Sequence, residues 1–180
     1  MASTIYKRAD SNEELIQMLE LQRSNIPTTL SEEEKQNEGF VTVQHTFEIL
    51  KAMNDICAHT IAAHHNKVIG YALSMDKSFS ETIDVLKPMF DIIERHTNNS
   101  NYIVMGQICV DKAYRKQGVF RQLYKTMKME LEPLFDVIIT EVDKKNTRSL
   151  QAHYAIGFKV LYSYRSNNQD WEILIWDITQ

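Results

Sequence analysis

Basic residues cluster in one short stretch of this chain, where they could bind a phosphate group. Residues 111–128 include a single acidic residue, Asp111, although the whole chain has a formal net charge of −4. The basic members of the stretch are Lys112, Arg115, Lys116, Arg121, Lys125 and Lys128. Gly118 lies among them, and a glycine lets the backbone approach a ligand closely. The alternative is that these side chains only solvate a helix surface.

The elements predicted around this cluster favour the anion site. Residues 102–110 are rich in β-branched and apolar side chains and predict a strand. After Gly118, apolar residues recur every four positions and predict an amphipathic helix. The first N–H groups of such a helix lack intrahelical partners, and its dipole makes that end electropositive. A strand, a glycine turn and a helix in this order can hold a pyrophosphate. The apolar positions of the helix are Val119, Leu123, Met127 and Leu131.

A second motif follows downstream of the basic cluster. Residues 135–142 predict another strand, whose last residues are Glu141 and Val142. Asn146 is suited to cap a short helix that ends at Gly157.

Together and in this order, the two motifs resemble those of the GNAT superfamily of N-acetyltransferases. That family typically has Arg/Gln-x-x-Gly-x-Gly/Ala after its fourth strand, followed by a Glu-Val strand end, an Asn and a helix that closes in Gly-Phe. The resemblance is firm over residues 100–160. Phe120 departs from it, because Gly or Ala usually lies there beside the coenzyme diphosphate, and we expect its ring to point away into the core. The matching residues are Arg115, Gly118, Glu141, Val142, Asn146, Gly157 and Phe158.

The resemblance implies an α/β fold of the α+β type. We expect one domain over residues 1–180, with a single mixed, mostly antiparallel β-sheet flanked by helices. The fourth and fifth strands would splay apart at their ends and admit the pantetheine arm of acetyl-CoA. The backbone N–H of Val110 is the candidate donor to the oxyanion of the transfer. The predicted coenzyme-binding residues are Ile108, Cys109, Val110, Arg115, Lys116, Gln117, Gly118, Val119, Phe120, Arg121 and Asn146.

Acyl transfer to an amine needs few catalytic side chains. Many relatives place a Tyr four residues before the glycine of the closing Gly-Phe, where it protonates the thiol. His153 holds that position here and is the expected sulfur-side group, with Tyr154, one step further on, as its rival. Successive helical residues diverge, so both cannot face the sulfur equally well. Glu141 is the candidate base for the amine proton. The alternatives are that His153 only packs in the helix and that the Glu141 carboxylate is merely solvated.

Patterning outside the motifs predicts the remaining elements. A capping and acidic segment over 10–14 predicts a helix bearing Leu15, Met18 and Leu19. Pro88 is a reason to doubt the helix predicted over 82–95. The other predicted strands cover residues 4–9, 58–65, 67–75, 158–166 and 171–178, and further helices are predicted at 31–34 and near 47–53.

Composition and charge indicate which cellular location and which binding partners to expect. The 180 residues are 43% hydrophobic, no apolar run is long enough to cross a bilayer, and the N-terminal residues lack the apolar core of a signal peptide. A soluble protein resident in the cytoplasm is expected, with two reduced cysteines. The scattered charge predicts neither nucleic-acid nor membrane binding. No metal is expected, because the adjacent His64 and His65 would point to opposite faces of a strand.

These observations predict an acetyl-CoA-dependent N-acetyltransferase. The acceptor would be a primary amine, in a small molecule or a peptide, that attacks the thioester directly in a ternary complex. Residues 23–40 would form the acceptor-side wall, and a homodimer is compatible with the sequence. The alternatives are a regulatory module that binds coenzyme A without catalysis, or an enzyme that uses a different acyl donor.

Overall fold

The computed structural model of the protein describes residues 3–26 and 43–179, and within these ranges seven strands form one open sheet. The sheet order is β1-β2-β3-β4-β5-β7-β6, with β4 and β5 parallel and the other neighbours antiparallel. This is the predicted mixed, mostly antiparallel sheet. The strands are β1 Ile5–Arg8, β2 Thr60–His64, β3 Lys67–Met75, β4 Tyr102–Val110, β5 Val137–Asp143, β6 Lys159–Ser166 and β7 Gln169–Asp177.

Helices cover both faces of the sheet. They are α1 Asn12–Arg23, α2 Phe47–Ile56, α3 Lys87–His96, α4 Val119–Leu131 and α5 Thr147–Tyr154. Side chains of α1, α2 and α3 share core clusters with alternate sheet residues such as Tyr71, Val104 and Ile139. The intervening positions, such as Met105 and Ile138, pack with α4 and α5 on the opposite face. Period-two alternation along the strands therefore sorts the side chains between two cores.

The local signals in the sequence account for several boundaries. The predicted apolar positions of α4 are all buried, which anchors this helix on the sheet. The strands predicted over 58–65 and 67–75 form a hairpin, whose turn residues His65 and Asn66 have φ of 50° and 61°. Asn146 caps α5 by accepting a hydrogen bond from the Ser149 N–H at 3.2 Å. Gly157, after the end of α5, has φ of 122°, a backbone conformation that favours glycine.

The helix predicted over residues 82–95 is wrong at its start. Residues Lys77–Glu81 and Asp84–Leu86 form short 3₁₀ segments, and α3 begins at Lys87 with Pro88 in its first turn. A proline is tolerated there because the first N–H groups of a helix have no intrahelical partner. The helix predicted at 31–34, and most of the predicted acceptor-side segment 23–40, lie outside the described residues.

Candidate active site

The fourth and fifth strands diverge near the centre of the sheet. Their parallel pairing runs from Tyr102 opposite Val137 to Val104 opposite Ile139. Beyond that point β4 stays paired with β3 and β5 stays paired with β7, so a gap opens between β4 and β5. The Thr140 hydroxyl donates a hydrogen bond to the Met105 carbonyl (2.9 Å) at the start of the gap. The predicted splay is therefore confirmed.

A groove of about 290 Å³ lies beside this gap, between the end of β4, the start of α4 and one side of α5. Every residue predicted to bind the coenzyme lines it, except Gln117. The Gln117 side chain instead donates to the Ala113 carbonyl at 2.9 Å. The remaining lining residues were not predicted from the sequence: Asn25, Tyr114, Arg148, Ser149, Ala152, Ala155 and Ile156.

The turn before α4 exposes backbone N–H groups to this groove. Gly118 has φ of 81°, and Lys116 has φ of 61°. The N–H of Gln122 donates to the Gly118 carbonyl at 3.0 Å, so the N–H groups of residues 119–121 precede the first intrahelical bond. A β-carbon at Gly118 would meet no atom within 4 Å, which leaves space above the turn. This turn is the helix terminus at which the sequence predicts an anion site, and its N–H groups suit that role.

Four cationic side chains line the groove: Arg115, Lys116, Arg121 and Arg148. Arg115 Nε donates to the Val110 carbonyl at 3.1 Å, and its Nη2 donates to the side-chain oxygen of Asn25. These contacts tie the turn to the end of β4 and to the residues after α1. Arg148 was not predicted, because only the fold brings the first turn of α5 opposite the start of α4.

The backbone of Val110 faces the gap. Its neighbour Asp111 donates its N–H to the Ile69 carbonyl of β3 (2.8 Å), whereas the Val110 carbonyl accepts from Arg115 in the groove. The N–H and C=O of one strand residue point to the same side, and this side alternates along the strand. The N–H of Val110 is therefore directed into the gap, and its role as the oxyanion donor stays a prediction.

His153 lies in the core and is not among the groove-lining residues. Its Nδ1 lies 2.7 Å from the Ser149 carbonyl, which can only accept, so Nδ1 carries the proton. Nε2 then accepts from the Tyr124 hydroxyl at 2.7 Å. Burial lowers the pKa of His153 to about 4, which keeps the ring neutral. The role of His153 beside the sulfur stays a prediction. Its contacts with Ser149 and Tyr124 are those of a residue that packs in the core.

Helical periodicity explains this placement. Ser149, Ala152 and Ile156 face the groove, and the next position after Ala152 turns by about 100° toward α4. Tyr154 is also absent from the groove lining, and its hydroxyl donates to the Glu172 carboxylate on β7. The Phe120 ring packs edge-on against Tyr124 and His153, with centroids 5.2 Å apart in each case. It therefore contacts the core as expected, while also forming part of the groove wall.

We expect acid to destabilise the protein through its buried histidines. The pKa of His153 is about 4 in the fold against 6.5 in the unfolded chain, and burial lowers the pKa of His59 to about 4 as well. Because the unfolded state binds these protons first, the stabilising contribution of the two neutral histidines is full above pH 6.5 and is lost as the pH drops toward 4. Each histidine should contribute a slope of about 1.4 kcal/mol per pH unit in this window.

Urea unfolding at several pH values checks this expectation, with His153→Gln as the test variant. The variant should be less stable than the parent at pH 7, since its side chain cannot reproduce both hydrogen bonds, but its stability should fall less steeply with acid. An unchanged slope in His153→Gln would contradict the buried, neutral state of this ring.

Glu141 lies on the opposite face of the sheet from the groove. Its carboxylate lines a smaller cavity of about 110 Å³, which opens against β4 at Val104, Met105 and Gly106. Burial raises the pKa of Glu141 to about 7, and a hydrogen bond from the Tyr164 hydroxyl acts in the opposite direction. The predicted catalytic residues Glu141, His153 and Tyr154 are thus not brought together. Glu141 alone reaches a cavity, where it can take up and release protons near neutral pH.

A buried polar network holds the β4 strand between the two cavities. The Gln107 side-chain oxygen accepts from the Tyr71 hydroxyl (2.6 Å) and from Gln22 Nε2 (2.7 Å). Its amide nitrogen donates to the Val43 carbonyl at 2.7 Å. This network ties α1 and the chain before α2 to the strand that borders the gap.

Two negative findings concern the described residues, 3–26 and 43–179. Among them, no three histidine, cysteine or acidic side chains come together in an arrangement able to hold a metal ion. In the same ranges, the helices are too short or too polar to cross a bilayer.

The family and fold of the chain follow from comparisons with known proteins. The model of the acetyltransferase (GNAT) family matches residues 15–158. A comparison with curated protein sequences gave no match.

Solved structures share the whole fold at low sequence identity. The ribosomal-protein-S18-alanine N-acetyltransferase of Escherichia coli has a TM-score of 0.68 at 12% identity, over 99% of this chain and 96% of that one. The Salmonella typhimurium protein yncA, solved with its cofactor acetyl-CoA, has a TM-score of 0.64 at 15% sequence identity, and the match covers 97% of this chain and 94% of that one. A chain of the NatC complex, solved with Gag peptide and CoA, has a TM-score of 0.65 at 18% sequence identity, and the match covers 97% of this chain and 98% of that one. At these identities the likeness concerns the fold.

Proposed function

The chain belongs to the GNAT acetyltransferase family, and we propose that it transfers an acetyl group from acetyl-CoA to a primary amine by direct attack in a ternary complex. One observation carries the proposal: a groove with exposed N–H groups and four cationic side chains lies beside the gap between β4 and β5. Acetyl-CoA supplies an acetyl group activated as a thioester, and its anionic diphosphate matches the chemistry of the turn before α4.

Different groove residues suit different parts of the coenzyme. The N–H groups of residues 119–121, with Lys116 and Arg121, suit the diphosphate. The inward-facing backbone of Ile108 and Val110 suits the amide-bearing pantetheine arm. The N–H of Val110 would then stabilise negative charge on the thioester oxygen during transfer.

Glu141 would accept the proton of the attacking amine from the other face of the sheet. A carboxylate with a pKa of about 7 can do so at neutral pH, directly or through a water molecule. Direct transfer is favoured over a covalent acyl-enzyme, because burial raises the pKa of the Cys109 thiol to about 12 and keeps it protonated.

A specific observation also supports a second function, that of a regulatory module that binds coenzyme A without catalysis. Neither His153 nor Tyr154 lines the groove, so neither is placed to protonate the leaving sulfur. This observation does not exclude catalysis, since a thiolate, with a thiol pKa of about 8.5, can leave without a dedicated acid.

Ligand-induced thermal shifts test the proposed function. Acetyl-CoA or CoA at a hundred times its dissociation constant should stabilise the fold by about 2.7 kcal/mol, whereas ATP should shift the melting temperature less. A shift with ATP and none with either coenzyme form would contradict the proposal. Thiol release in the presence of amines then separates an enzyme from a module that only binds.

The acceptor can be a small molecule or a peptide with a free amino group. The NatC complex, which shares the fold, was solved with a peptide, and the Escherichia coli neighbour acts on a ribosomal-protein alanine. These neighbours make an α-amino group a reasonable acceptor to test beside simple amines.

A further inference from the structure

Residues 106 and 107 of β4 lie where this strand has no register partner in either neighbouring strand. On the β5 side, the pairing ends at Val104. On the β3 side, the register shifts between Met105 and Ile108, so a β-bulge places residues 106 and 107 opposite a single residue of β3. A bulge disrupts the ladder of hydrogen bonds between two strands. Other contacts must therefore hold this stretch of β4 in place.

The Gln107 side chain supplies such contacts in the interior of the protein, where it is 7% exposed. Its oxygen accepts hydrogen bonds from Tyr71 on β3 and Gln22 on α1, and its amide nitrogen donates to the Val43 carbonyl, each bond being 2.6 or 2.7 Å long. The Gln22 side-chain oxygen in turn accepts from the His45 N–H at 2.7 Å. Buried hydrogen bonds are strong, and leaving a buried partner unsatisfied is costly. The network thus fixes the bulge relative to α1 and to residues 43–45.

The bulge lies between the two cavities of the site. The strand lines the coenzyme groove from Ile108 onward, whereas Gly106 and the two residues before it line the cavity of Glu141. Val43, whose carbonyl accepts from Gln107, lines the Glu141 cavity as well. Gln107 is not among the described residues that line either cavity. Any influence of this side chain on a reaction there would act through the residues that it holds.

We propose that Gln107 is a positioning residue for the transfer: it holds the bulge and Val43 so that a thioester in the gap and an amine beside Glu141 meet in the geometry for attack. The inference rests on the proposed acetyl transfer to an amine. Misplacing reacting groups by about 1 Å can lower a rate by about 10²-fold. The turn before α4 that suits the diphosphate is not part of this network, so affinity for acetyl-CoA should depend little on Gln107.

Gln107→Met tests the positioning role, because methionine has a similar length and shape but cannot replace the three hydrogen bonds. The acceptor would be the most rapidly acetylated member of a panel of simple amines and alanine-terminated peptides. At saturating acetyl-CoA, kcat should fall by about tenfold, while the dissociation constant of acetyl-CoA, measured by calorimetry, should stay within about twofold of the parent value. A residue that only stabilises the fold would lower the melting temperature without changing kcat of the folded enzyme.

Tyr71→Phe is the matched control. It removes one donor to the same Gln107 oxygen but leaves the bonds of Gln107 with Gln22 and Val43. Both variants should melt at a lower temperature than the parent, since each loses at least one buried hydrogen bond, but Tyr71→Phe should keep kcat within about threefold of the parent value.

Gln107→Glu keeps the test decisive if Gln107→Met does not fold. It retains an oxygen for Tyr71 and Gln22 and replaces the amide nitrogen that donates to the Val43 carbonyl. Its kcat should also fall, with affinity for acetyl-CoA retained. Thermal stabilisation by acetyl-CoA reports whether each variant is folded.

The outcomes separate this inference from the proposed function. A lower kcat in the Gln107 variants, with coenzyme affinity retained and kcat of Tyr71→Phe close to that of the parent, would support the positioning role. A parent-like kcat in a folded Gln107 variant, or an equal loss in Tyr71→Phe, would overturn this role and leave the acetyltransferase proposal standing. Binding of acetyl-CoA by the parent without transfer to any amine would overturn both.

Discussion

Glu141→Gln should lower kcat for amine acetylation by about 10²- to 10⁴-fold, the range expected for the loss of a general base. The glutamine keeps the size and polarity of the side chain but cannot accept the proton. In the parent enzyme, kcat should rise with pH through about 7 and then level off, because the carboxylate must be ionised to act as a base. Steady-state kinetics between pH 5.5 and 9 would show both effects.

Tyr164→Phe provides the matched control for this prediction. It removes the hydroxyl that donates to Glu141 and that lowers the pKa of this carboxyl. The rising limb of the pH profile should therefore move to higher pH, while the plateau value of kcat changes little. A parent-like rate in Glu141→Gln would rule out Glu141 as the base.

The same carboxyl should weaken the fold at alkaline pH. Its folded pKa is raised from 4.5 to about 7, so the stabilising contribution is full below pH 4.5 and is lost as the pH rises through 7. Glu141→Gln should consequently melt at a higher temperature than the parent at pH 8. A residue that impairs stability in this way is typical of a functional site.

Gly118→Asp should weaken acetyl-CoA binding by about 10- to 100-fold, because a carboxylate would lie where the turn accommodates the diphosphate. Gly118→Asn is the matched control, since it has the same shape without the charge. Asparagine and aspartate both tolerate the left-handed backbone at φ of 81° better than most other residues. Both variants should therefore carry a similar conformational cost.

Calorimetric titration at two salt concentrations separates the charge effect from backbone strain. The difference between Asp and Asn should shrink at high salt, because screening weakens a repulsion at an exposed turn. Equal affinity of the two variants for acetyl-CoA would show that the diphosphate does not bind above Gly118.

Features of this chain that depend on local sequence were predictable, whereas those that depend on contacts between distant segments were not. The β-branched and apolar residues 102–110 predicted the strand β4, and the residues after them predicted the turn at Gly118 and the buried positions of α4. Each of these features depends on neighbours within a few residues. The splay of β4 from β5 came from the family resemblance, and the pairing confirms it. Arg148, Asn25 and the cavity beside Glu141 were not predicted, because their places depend on how distant elements pack.

His153 has the spacing that the motif predicts for the sulfur-side group, but its side chain does not face the groove. Its spacing from Gly157 matched the tyrosine of many relatives, yet the rotation of α5 directs its ring toward Tyr124 rather than toward the groove. One residue of spacing changes the direction of a helical side chain by about 100°. A sequence pattern gives that spacing, but packing against α4 sets the direction.

By itself, the amino-acid sequence determined the strand, the basic turn and the amphipathic helix that suit a diphosphate, because these depend on residue type and on periodicity along the chain. Its two motifs also carried the resemblance to the family, which implied the mixed sheet. Only the tertiary structure decided that Glu141 and the coenzyme groove lie on opposite faces of the sheet, on either side of the gap. It also decided that His153 is a buried, neutral core residue. Burial and the direction of a side chain arise from contacts between segments far apart in the chain, and these contacts shift pKa values and form cavities.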